Sequence, residues 1–324
     1  MKTASGIATD WLKSLARKTL PYTARRWIRD ELERISQKRQ ELHDRIIVRK
    51  LEFTNKEGFV NFNFRLMANH RQQGVSAMLR VKNEESKIYH CLKSIYNVFD
   101  EIVLVDNGST DRTLQIVREF KTAADKDEKI KIYFYPFDIA RCGDEHYGTP
   151  ENSVHNLAYY YNWTLSKCSR SYVCKWDGDM VLRRDVRESF RGFLERIQKS
   201  RKMCWAIYGQ AVYRDLASNH FLARGEINGE IRIFPNGLNP RFYKMDLFEV
   251  LKSHPAMPEA EFGGVTFYEL KFTDENEFSH WSITDIPTDR KKRELENSRL
   301  VRKNAISSAT FEKLTPSFLE DQIA

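Results

Sequence analysis

From residue 75 to residue 190, short apolar runs alternate with segments in which apolar residues recur every three or four positions. Four β-rich runs predict strands: Val75–Val81, Ile102–Val105, Ile130–Phe137 and Tyr172–Trp176. The intervening segments predict helices: Glu84–Phe99, a helix from Thr113, and Asn152–Ser166. The resulting β-α-β-α-β-α-β order predicts an α/β fold, in which a mostly parallel sheet is flanked by helices.

The remainder of the chain predicts a second half of the same body. It contains a helix around Phe193–Ile197 and strands at Cys204–Val212 and Ile231–Phe234. We therefore expect a basic helical extension, two halves of the body, and a C-terminal helix with a loose charged tail: residues 1–72, 73–190, 191–290 and 291–324.

The net charge of +8 is concentrated at the N-terminus. Residues 1–50 contain 13 Lys and Arg against 6 Asp and Glu, a net charge of +7, so the other residues together carry only +1. The longer of two basic helices is predicted from Thr23 to Arg49, with an apolar heptad seam. Packing on the body, self-association and peripheral contact with an anionic membrane all stay open. Because the body holds no nucleic-acid-reading motif, no nucleic acid partner is expected.

Composition narrows the class of protein further. The chain has 324 residues, 41% of them hydrophobic and 30% charged, as in an ordinary globular protein. It contains neither an apolar run of about 18 residues nor an N-terminal segment with the apolar centre of a signal peptide. The five cysteines include no Cys-x-x-Cys pair, which argues against a disulfide framework. We therefore expect a cytoplasmic protein, with peripheral placement at the inner face of a membrane as an alternative.

Polar residues follow three of the predicted strands at the point where each strand ends. Arg80–Glu84 closes the first strand, Asp106 follows the second, and Asp177–Asp179 follows the fourth. The carboxyl ends of parallel strands lie at one edge of a sheet, where ligands of such folds bind. The strand order therefore predicts one site that contains all three groups.

The fourth strand ends in two aspartates separated by one glycine, Gly178. This spacing directs the carboxylates of Asp177 and Asp179 into one crevice. Mg²⁺ and Mn²⁺ prefer such oxygen ligands and are often held by carboxylates together with substrate phosphates. Asp106 can accept a hydrogen bond from a nucleobase N–H or a ribose hydroxyl.

Three segments carry a family resemblance. VSAMLRVKNEE, DEIVLVDNGSTDRT and KWDGDM resemble the signature blocks of glycosyltransferase family 2, over about residues 74–190. The resemblance implies the GT-A fold, a nucleotide-diphospho-sugar donor bound by the first half of the body, and Mn²⁺ or Mg²⁺. It also implies an inverting reaction, in which a carboxylate removes the proton of an acceptor hydroxyl. The acceptor is expected to be a glycan or a lipid-linked sugar, as in bacterial surface-polysaccharide synthesis.

The resemblance assigns roles to matching positions. Asn83 and Glu84 correspond to the family's Asn-Glu after the first strand. Asp106 corresponds to the aspartate that contacts the nucleobase, and Asp177 and Asp179 to the pair that contacts ribose and metal.

One segment departs from the family pattern. The family often has Pro-Thr-Tyr where this chain has Arg80-Val81-Lys82, which leaves the base and sugar preference open. Arg80 and Lys82 either steer the diphosphate or pair with neighbouring glutamates.

Four positions late in the chain are candidates for the two remaining roles. We predict Glu230 as the catalytic base, with Glu226 or Glu269 as alternatives. His280 is a candidate late metal ligand, although its sequence context favours a hydrogen-bonded or partly buried histidine.

Other classes of protein fit the sequence less well. A sugar nucleotidyltransferase shares an α/β sheet and a metal, but normally has a glycine-rich phosphate loop after its first strand, which Arg80–Glu85 lacks. The sequence contains neither a P-loop signature nor a dinucleotide-binding Gly-x-Gly-x-x-Gly. A non-catalytic sugar-binding or scaffold protein of the same fold is disfavoured because all three acidic positions are present.

Overall fold

A computed structural model of the protein describes residues 71–237, 240–253, 255, 257–272 and 289–324, together with Ala24, Glu31 and Ile35. The chain forms two compact units, residues 1–52 and 53–324, and the description below concerns the second. The basic extension predicted for residues 1–72 lies almost wholly outside the described residues. Of its described positions, Ala24, Glu31 and Ile35 are helical, and Gln72 begins the first strand of the body.

The first part of the body alternates strands and helices as the apolar pattern predicts. Its elements are β1 (Gln72–Val81), α1 (Ile88–Ile95), β2 (Glu101–Asp106), α2 (Thr113–Ala124), β3 (Ile130–Phe134), α3 (Asp144–Gly148), α4 (Leu157–Lys167) and β4 (Arg170–Lys175). The four strands lie in the order β3-β2-β1-β4, and all their pairings are parallel. Right-handed crossovers of this kind place the helices on the two faces of the sheet. The predicted α/β class is therefore confirmed.

The second part extends the same sheet. Its elements are β5 (Met180–Leu182), a 3-10 turn (Arg184–Val186), α5 (Arg187–Ile197), β6 (Cys204–Arg214), β7 (His220–Pro235), β8 (Arg241–Lys244), β9 (Glu249–Lys252) and β10 (Glu259–Lys271). The sheet continues from β4 as β7-β6-β10-β5, while β8 and β9 form a separate hairpin. Within this path β7 and β5 run against the other strands, so the sheet is mixed but mostly parallel. The two predicted halves thus share one sheet.

Both faces of the central strands are buried, which explains why they read as continuous apolar runs. Every residue of β2 is buried, and so is nearly all of β1 beyond its first two residues. One face carries a cluster formed with α1, α2 and α5, in which Phe99 packs edge to face against Trp176 and Phe190. On the other face, the α4 residue Tyr160 donates its hydroxyl proton to the Val105 carbonyl at 3.3 Å.

The C-terminal segment is more ordered than the loose tail predicted for it. It forms α6 (Asp289–Arg302), β11 (Phe311–Lys313) and α7 (Phe318–Ile323). β11 pairs antiparallel with β7, and the side chains of Phe311 and Phe318 are buried. Two aromatic residues widely spaced in a charged sequence are too weak a periodic signal to predict this docking.

No disulfide joins the five cysteines, all of which lie within the described ranges. In the part of the chain that the structure covers, the helices are too short or too polar to span a bilayer.

Candidate functional site

The turn after β2 presents a carboxylate with one unused oxygen. Asp106 is 1% exposed, and its Oδ2 accepts hydrogen bonds from the backbone N–H groups of Gly108 (3.0 Å) and Ser109 (3.1 Å). Gly108 has a φ of +70°, a conformation that glycine adopts without strain. Asp106 Oδ1 is buried and accepts no hydrogen bond from any described residue. Because a buried acceptor without a donor is costly, this oxygen is suited to a ligand N–H or O–H.

The segment after β1 supports that turn. Asn83 has a φ of +57° and accepts the backbone N–H of Thr110 at 2.8 Å through Oδ1. The backbone N–H of Glu84 donates to the Thr113 hydroxyl at 2.6 Å. The Glu84 carboxylate lies 2.6 Å from the ammonium of Lys87. Asn83 and Glu84 thus connect the end of β1 to the Asp106 turn.

The two cations of this segment have different environments. Lys82 is half-exposed and lies 3.8 Å from the exposed Asp138. Arg80 is buried, and its guanidinium stacks 3.3 Å from the centre of the Tyr161 ring on α4. Arg80 also forms a 2.6 Å ion pair with Asp177. Of these two cations, Arg80 is therefore the one that the fold brings to the aspartate pair.

The turn after β4 is fixed by its backbone and by a buried tryptophan. The Met180 N–H donates to the Asp177 carbonyl at 3.1 Å, and Trp176 Nε1 donates to the Met180 carbonyl at 3.2 Å. A Cβ atom at Gly178 would lie 2.9 Å from Val81 Cγ1, closer than such atoms approach. The glycine between the two aspartates therefore permits close packing of this turn on the end of β1.

Both oxygens of Asp177 are engaged by guanidinium groups. Arg80 contacts Oδ1 at 2.6 Å, and Arg232 of β7 contacts Oδ2 at 2.7 Å. Burial opposes ionisation of the Asp177 carboxyl, but Arg232 and Arg80 outweigh it and hold its pKa well below the usual range. Asp177 is therefore a permanently charged partner of two buried arginines.

Asp179 has a different partner and a freer carboxylate. Lys271 of β10 lies 3.3 Å from Oδ2, and the Asp179 side chain is 18% exposed. Within the described residues, Oδ1 accepts no hydrogen bond. Asp179 therefore keeps one hard oxygen ligand for a cation, as Mg²⁺ and Mn²⁺ require. Asp177, whose two oxygens are taken by arginines, does not fit as a metal ligand in this arrangement.

The structure brings the predicted acidic positions to one edge of the sheet. Val81, at the end of β1, is in register with Asp106 on β2. On its other side, Val81 packs against Gly178. At the usual strand spacing, Asp106 and the Asp177–Asp179 turn are separated by about 10 Å. One extended ligand, such as a nucleotide, is long enough to span that separation.

The three candidate bases lie in different surroundings. The Glu230 carboxylate is 35% exposed and lies 2.7 Å from Arg232, the arginine that also holds Asp177. Lys175 is a second partner at 3.2 Å. Burial opposes ionisation of the Glu230 carboxyl group, but Arg232 and Lys175 outweigh this effect and lower its pKa to about 2.

Glu269 and Glu226 are less accessible. Glu269 is 5% exposed and receives two hydrogen bonds from Arg290 of α6, at 3.0 and 3.1 Å. Glu226 accepts the Tyr213 hydroxyl at 3.2 Å, and burial raises its pKa. Glu230 is thus the only one of the three candidates to combine partial exposure with a cation shared with Asp177. His280 lies outside the described residues.

Four cations that the sequence alone does not single out complete this cluster: Lys175, Arg232, Lys271 and Arg290. Each of the first three stands between two apolar residues in the sequence, inside a strand or at its last residue, and charged residues are seldom buried there unless they are paired. That pattern is a signal that could have identified them. Their partners, however, come from strands distant in sequence.

Comparison with known proteins supports the resemblance. The family model described as glycosyl transferase family 2 matches residues 76–137, which contain β1, β2, β3 and the Asp106 turn. A protein described as an uncharacterized glycosyltransferase of Rickettsia typhi is 41% identical over 44 residues, 14% of this chain. The match spans only 15% of that relative's length. The predicted resemblance to glycosyltransferase family 2 is therefore confirmed over this segment.

Two solved structures are similar to about half of the chain. One is the mannosyltransferase of Pyrobaculum calidifontis in complex with GDP-Man and Mn²⁺, 17% identical, with a TM-score of 0.31 over 56% of this chain and 46% of that one. The other is glucosyl-3-phosphoglycerate synthase of Mycobacterium tuberculosis in complex with Mn²⁺, uridine-diphosphate and phosphoglyceric acid. It is 18% identical, with a TM-score of 0.27, and the similarity covers 50% of each chain.

Proposed function

Because residues 76–137 carry the glycosyltransferase family 2 segment, we propose that the protein is a glycosyltransferase. It moves a sugar from a nucleotide-diphospho-sugar to a hydroxyl group of a glycan or lipid-linked acceptor. The donor binds along the edge formed by β2, β1 and β4. The acceptor approaches from the side of β7.

The observation that carries this proposal is the buried, unpartnered Oδ1 of Asp106. Its companion oxygen is already satisfied by two backbone N–H groups, so the carboxylate is held rigidly. A nucleobase N–H or a ribose hydroxyl would supply the missing donor. The diphosphate of a ligand held there would extend across Val81 toward Asp179.

Asp179 would hold the Mn²⁺ or Mg²⁺ of this reaction. A metal ion bound there would supply positive charge to neutralise the charge that develops on the departing diphosphate. Asp177 instead fixes the guanidinium groups of Arg80 and Arg232 beside the donor edge. A division of work between the two aspartates follows from their different partners.

Glu230 accepts the proton of the attacking acceptor hydroxyl. Its carboxylate is ionised at neutral pH, and its partial exposure leaves it accessible to an acceptor, although Arg232 and Lys175 lower its basicity together with its pKa. Attack from the face opposite the diphosphate inverts the anomeric configuration. Arg232 acts as a positioning residue because it contacts Glu230 and Asp177 at the same time.

The proposal is tested by incubating the full chain with UDP-, GDP- and dTDP-sugars in the presence of Mn²⁺ or Mg²⁺, without acceptor. We expect slow hydrolysis of one donor, with release of the free sugar and the nucleoside diphosphate. Release of pyrophosphate together with a sugar phosphate would instead indicate a nucleotidyltransferase. Failure to bind or hydrolyse any sugar nucleotide would contradict the proposal.

Two variants test the assigned residues. Asp179→Ala should abolish turnover without unfolding the chain, whereas Asp185→Ala, an exposed carboxylate on the 3-10 turn, should have no effect. Glu230→Gln should lower acceptor transfer by about 100-fold or more, the range typical of a lost general base. Its donor affinity should stay unchanged. Full transfer activity in Glu230→Gln would remove Glu230 from the mechanism.

A further inference from the structure

A buried lysine lies beside the proposed metal ligand. The Lys271 ammonium is 3.3 Å from Asp179 Oδ2 and 3.8 Å from Glu269 Oε2, and the lysine side chain is 8% exposed. The backbone fixes this proximity, since the Leu270 N–H donates to the Asp179 carbonyl at 2.8 Å. The strand therefore holds the lysine next to the aspartate, while its four-carbon stem lets the ammonium move.

A cation that binds Asp179 competes with this ammonium. Like charges a few ångströms apart in a partly buried site repel each other by several kcal/mol at an effective dielectric constant of about 20. A divalent ion at the open Oδ1 and the ammonium at Oδ2 therefore repel each other across the same carboxylate. Binding of the ion favours departure of Lys271 from Oδ2.

The carboxylates near Lys271 are already paired with other cations, including the buried Glu294, which Arg290 and Lys291 contact at 2.9 and 2.7 Å. Both oxygens of Asp177 are occupied by Arg80 and Arg232. Glu269 already receives two hydrogen bonds from Arg290. An anionic ligand that arrives with the metal, such as a diphosphate, is the available new partner.

We propose that Lys271 is a resident counter-ion of Asp179, which a divalent cation displaces and which then binds the diphosphate. This inference rests on the proposed metal role of Asp179. It predicts that Lys271 weakens metal binding to the free protein and strengthens diphosphate binding to the metal-loaded protein. Metal and donor thereby bind together rather than separately.

The experiment titrates the full chain with Mn²⁺ alone and measures the free ion by electron paramagnetic resonance. Lys271→Met should bind Mn²⁺ about ten-fold more tightly than the wild type or better, since the competing charge is gone. Lys271→Arg keeps the charge and should retain the weak affinity. Lys244→Met makes the same chemical change on the β8–β9 hairpin and should match the wild type.

A second titration uses inorganic pyrophosphate, added as its Mn²⁺ complex to the metal-saturated protein in a calorimeter. Lys271→Met should bind it about ten-fold more weakly than the wild type, because a charged hydrogen-bond donor has been removed. A purely structural lysine would weaken both ligands together, so opposite changes identify the counter-ion. Lys271→Gln provides the same test if Lys271→Met does not fold.

Two results would overturn the inference: equal Mn²⁺ affinities in Lys271→Met and the wild type, or loss of both ligands together. Neither result depends on turnover. A wild-type protein that binds Mn²⁺ but hydrolyses no sugar nucleotide would contradict the proposed function and leave these titrations interpretable.

Discussion

Asp106 and Asp177 occupy equivalent places in the sheet, yet their surroundings are opposite. Each follows an apolar parallel strand, one on either side of β1. Asp106 meets backbone N–H groups on one oxygen and has no described partner on the other. Asp177 meets a guanidinium on each oxygen. The difference shows that position at a strand end selects an aspartate for the site, whereas cations from other strands decide whether it is available to a ligand.

The largest expected effect comes from removing Arg232, which links Asp177 to two other carboxylates. Arg232→Met takes one cation away from Asp177, Glu230 and Glu269, all of which stay ionised. Breaking a buried ion-pair network on one side costs about 3–5 kcal/mol of unfolding free energy. Urea denaturation measures the loss.

The matched control for that variant is Arg224→Met. Arg224 is half-exposed on β7 and lies 3.4 Å from the half-exposed Glu312. An exposed pair of this kind contributes about 1 kcal/mol or less. Equal losses in the two variants would show that the Arg232 network does not stabilise the fold.

Acid pH should destabilise the folded protein, because it protonates a buried carboxylate that is paired with cations. Burial opposes ionisation of Glu294, but Lys271, Lys291 and Arg290 outweigh it and lower its pKa to about 2. A carboxyl group whose pKa is lower in the folded state than in the unfolded state stabilises the fold at pH values above its unfolded-state pKa. This contribution disappears as the pH falls through the folded-state pKa. Stability should therefore drop between about pH 4.5 and about pH 2, with Glu294 contributing on the order of 3 kcal/mol.

Urea unfolding at several pH values tests this expectation. Glu294→Gln should be less stable than the wild type at pH 7 and should lose less stability on acidification. Glu296→Gln, at an exposed position of the same helix, should follow the wild-type curve. Parallel curves for Glu294→Gln and the wild type would contradict the assignment.

Substitution of Asp106, whose Oδ1 has no described partner, should affect donor binding more than stability. Asp106→Asn keeps an oxygen for Gly108 and Ser109 but replaces the unpartnered acceptor with an amide N–H₂. We expect donor affinity to fall by about 10- to 100-fold, since a buried hydrogen bond to a charged group contributes about 1.5–3 kcal/mol. Calorimetric titration with the sugar nucleotide that the protein hydrolyses measures the donor affinity. Asp127→Asn, at an exposed position, is the control. Unchanged donor affinity would show that the nucleobase does not bind at Asp106.

The smallest expected effect concerns Gly178, the glycine between Asp177 and Asp179 that packs against the end of β1. A methyl group at Gly178 meets Val81 Cγ1 at 2.9 Å and Glu84 Cγ at 3.2 Å. Gly178→Ala should therefore lower the unfolding free energy by about 1 kcal/mol through overpacking. Gly148→Ala, where a methyl group meets nothing within 4 Å, is the control for thermal denaturation. Equal melting temperatures for Gly178→Ala and the wild type would show that the turn yields without cost.

Much of the fold could be predicted because its signals are local. The core strands and helices of the first half follow from apolar runs and helical spacing, and each apolar face is buried as expected. The ends of elements were less predictable: the strand expected to end at Phe137 ends at Phe134, because side-chain and loop contacts replace the ladder there. The docking of β11 on β7 depends on a partner about 90 residues away, which no local pattern specifies.

By itself, the sequence determined the α/β class, the family resemblance and the placement of Asp106, Asp177 and Asp179 at strand ends. These features depend on neighbours within one turn or one strand. Only the tertiary structure decided which carboxylate keeps an unused oxygen and which is neutralised by Arg80, Arg232 or Lys271. Those pairings join β1, β4, β7 and β10, and their energies depend on burial and distance, which a linear sequence does not contain.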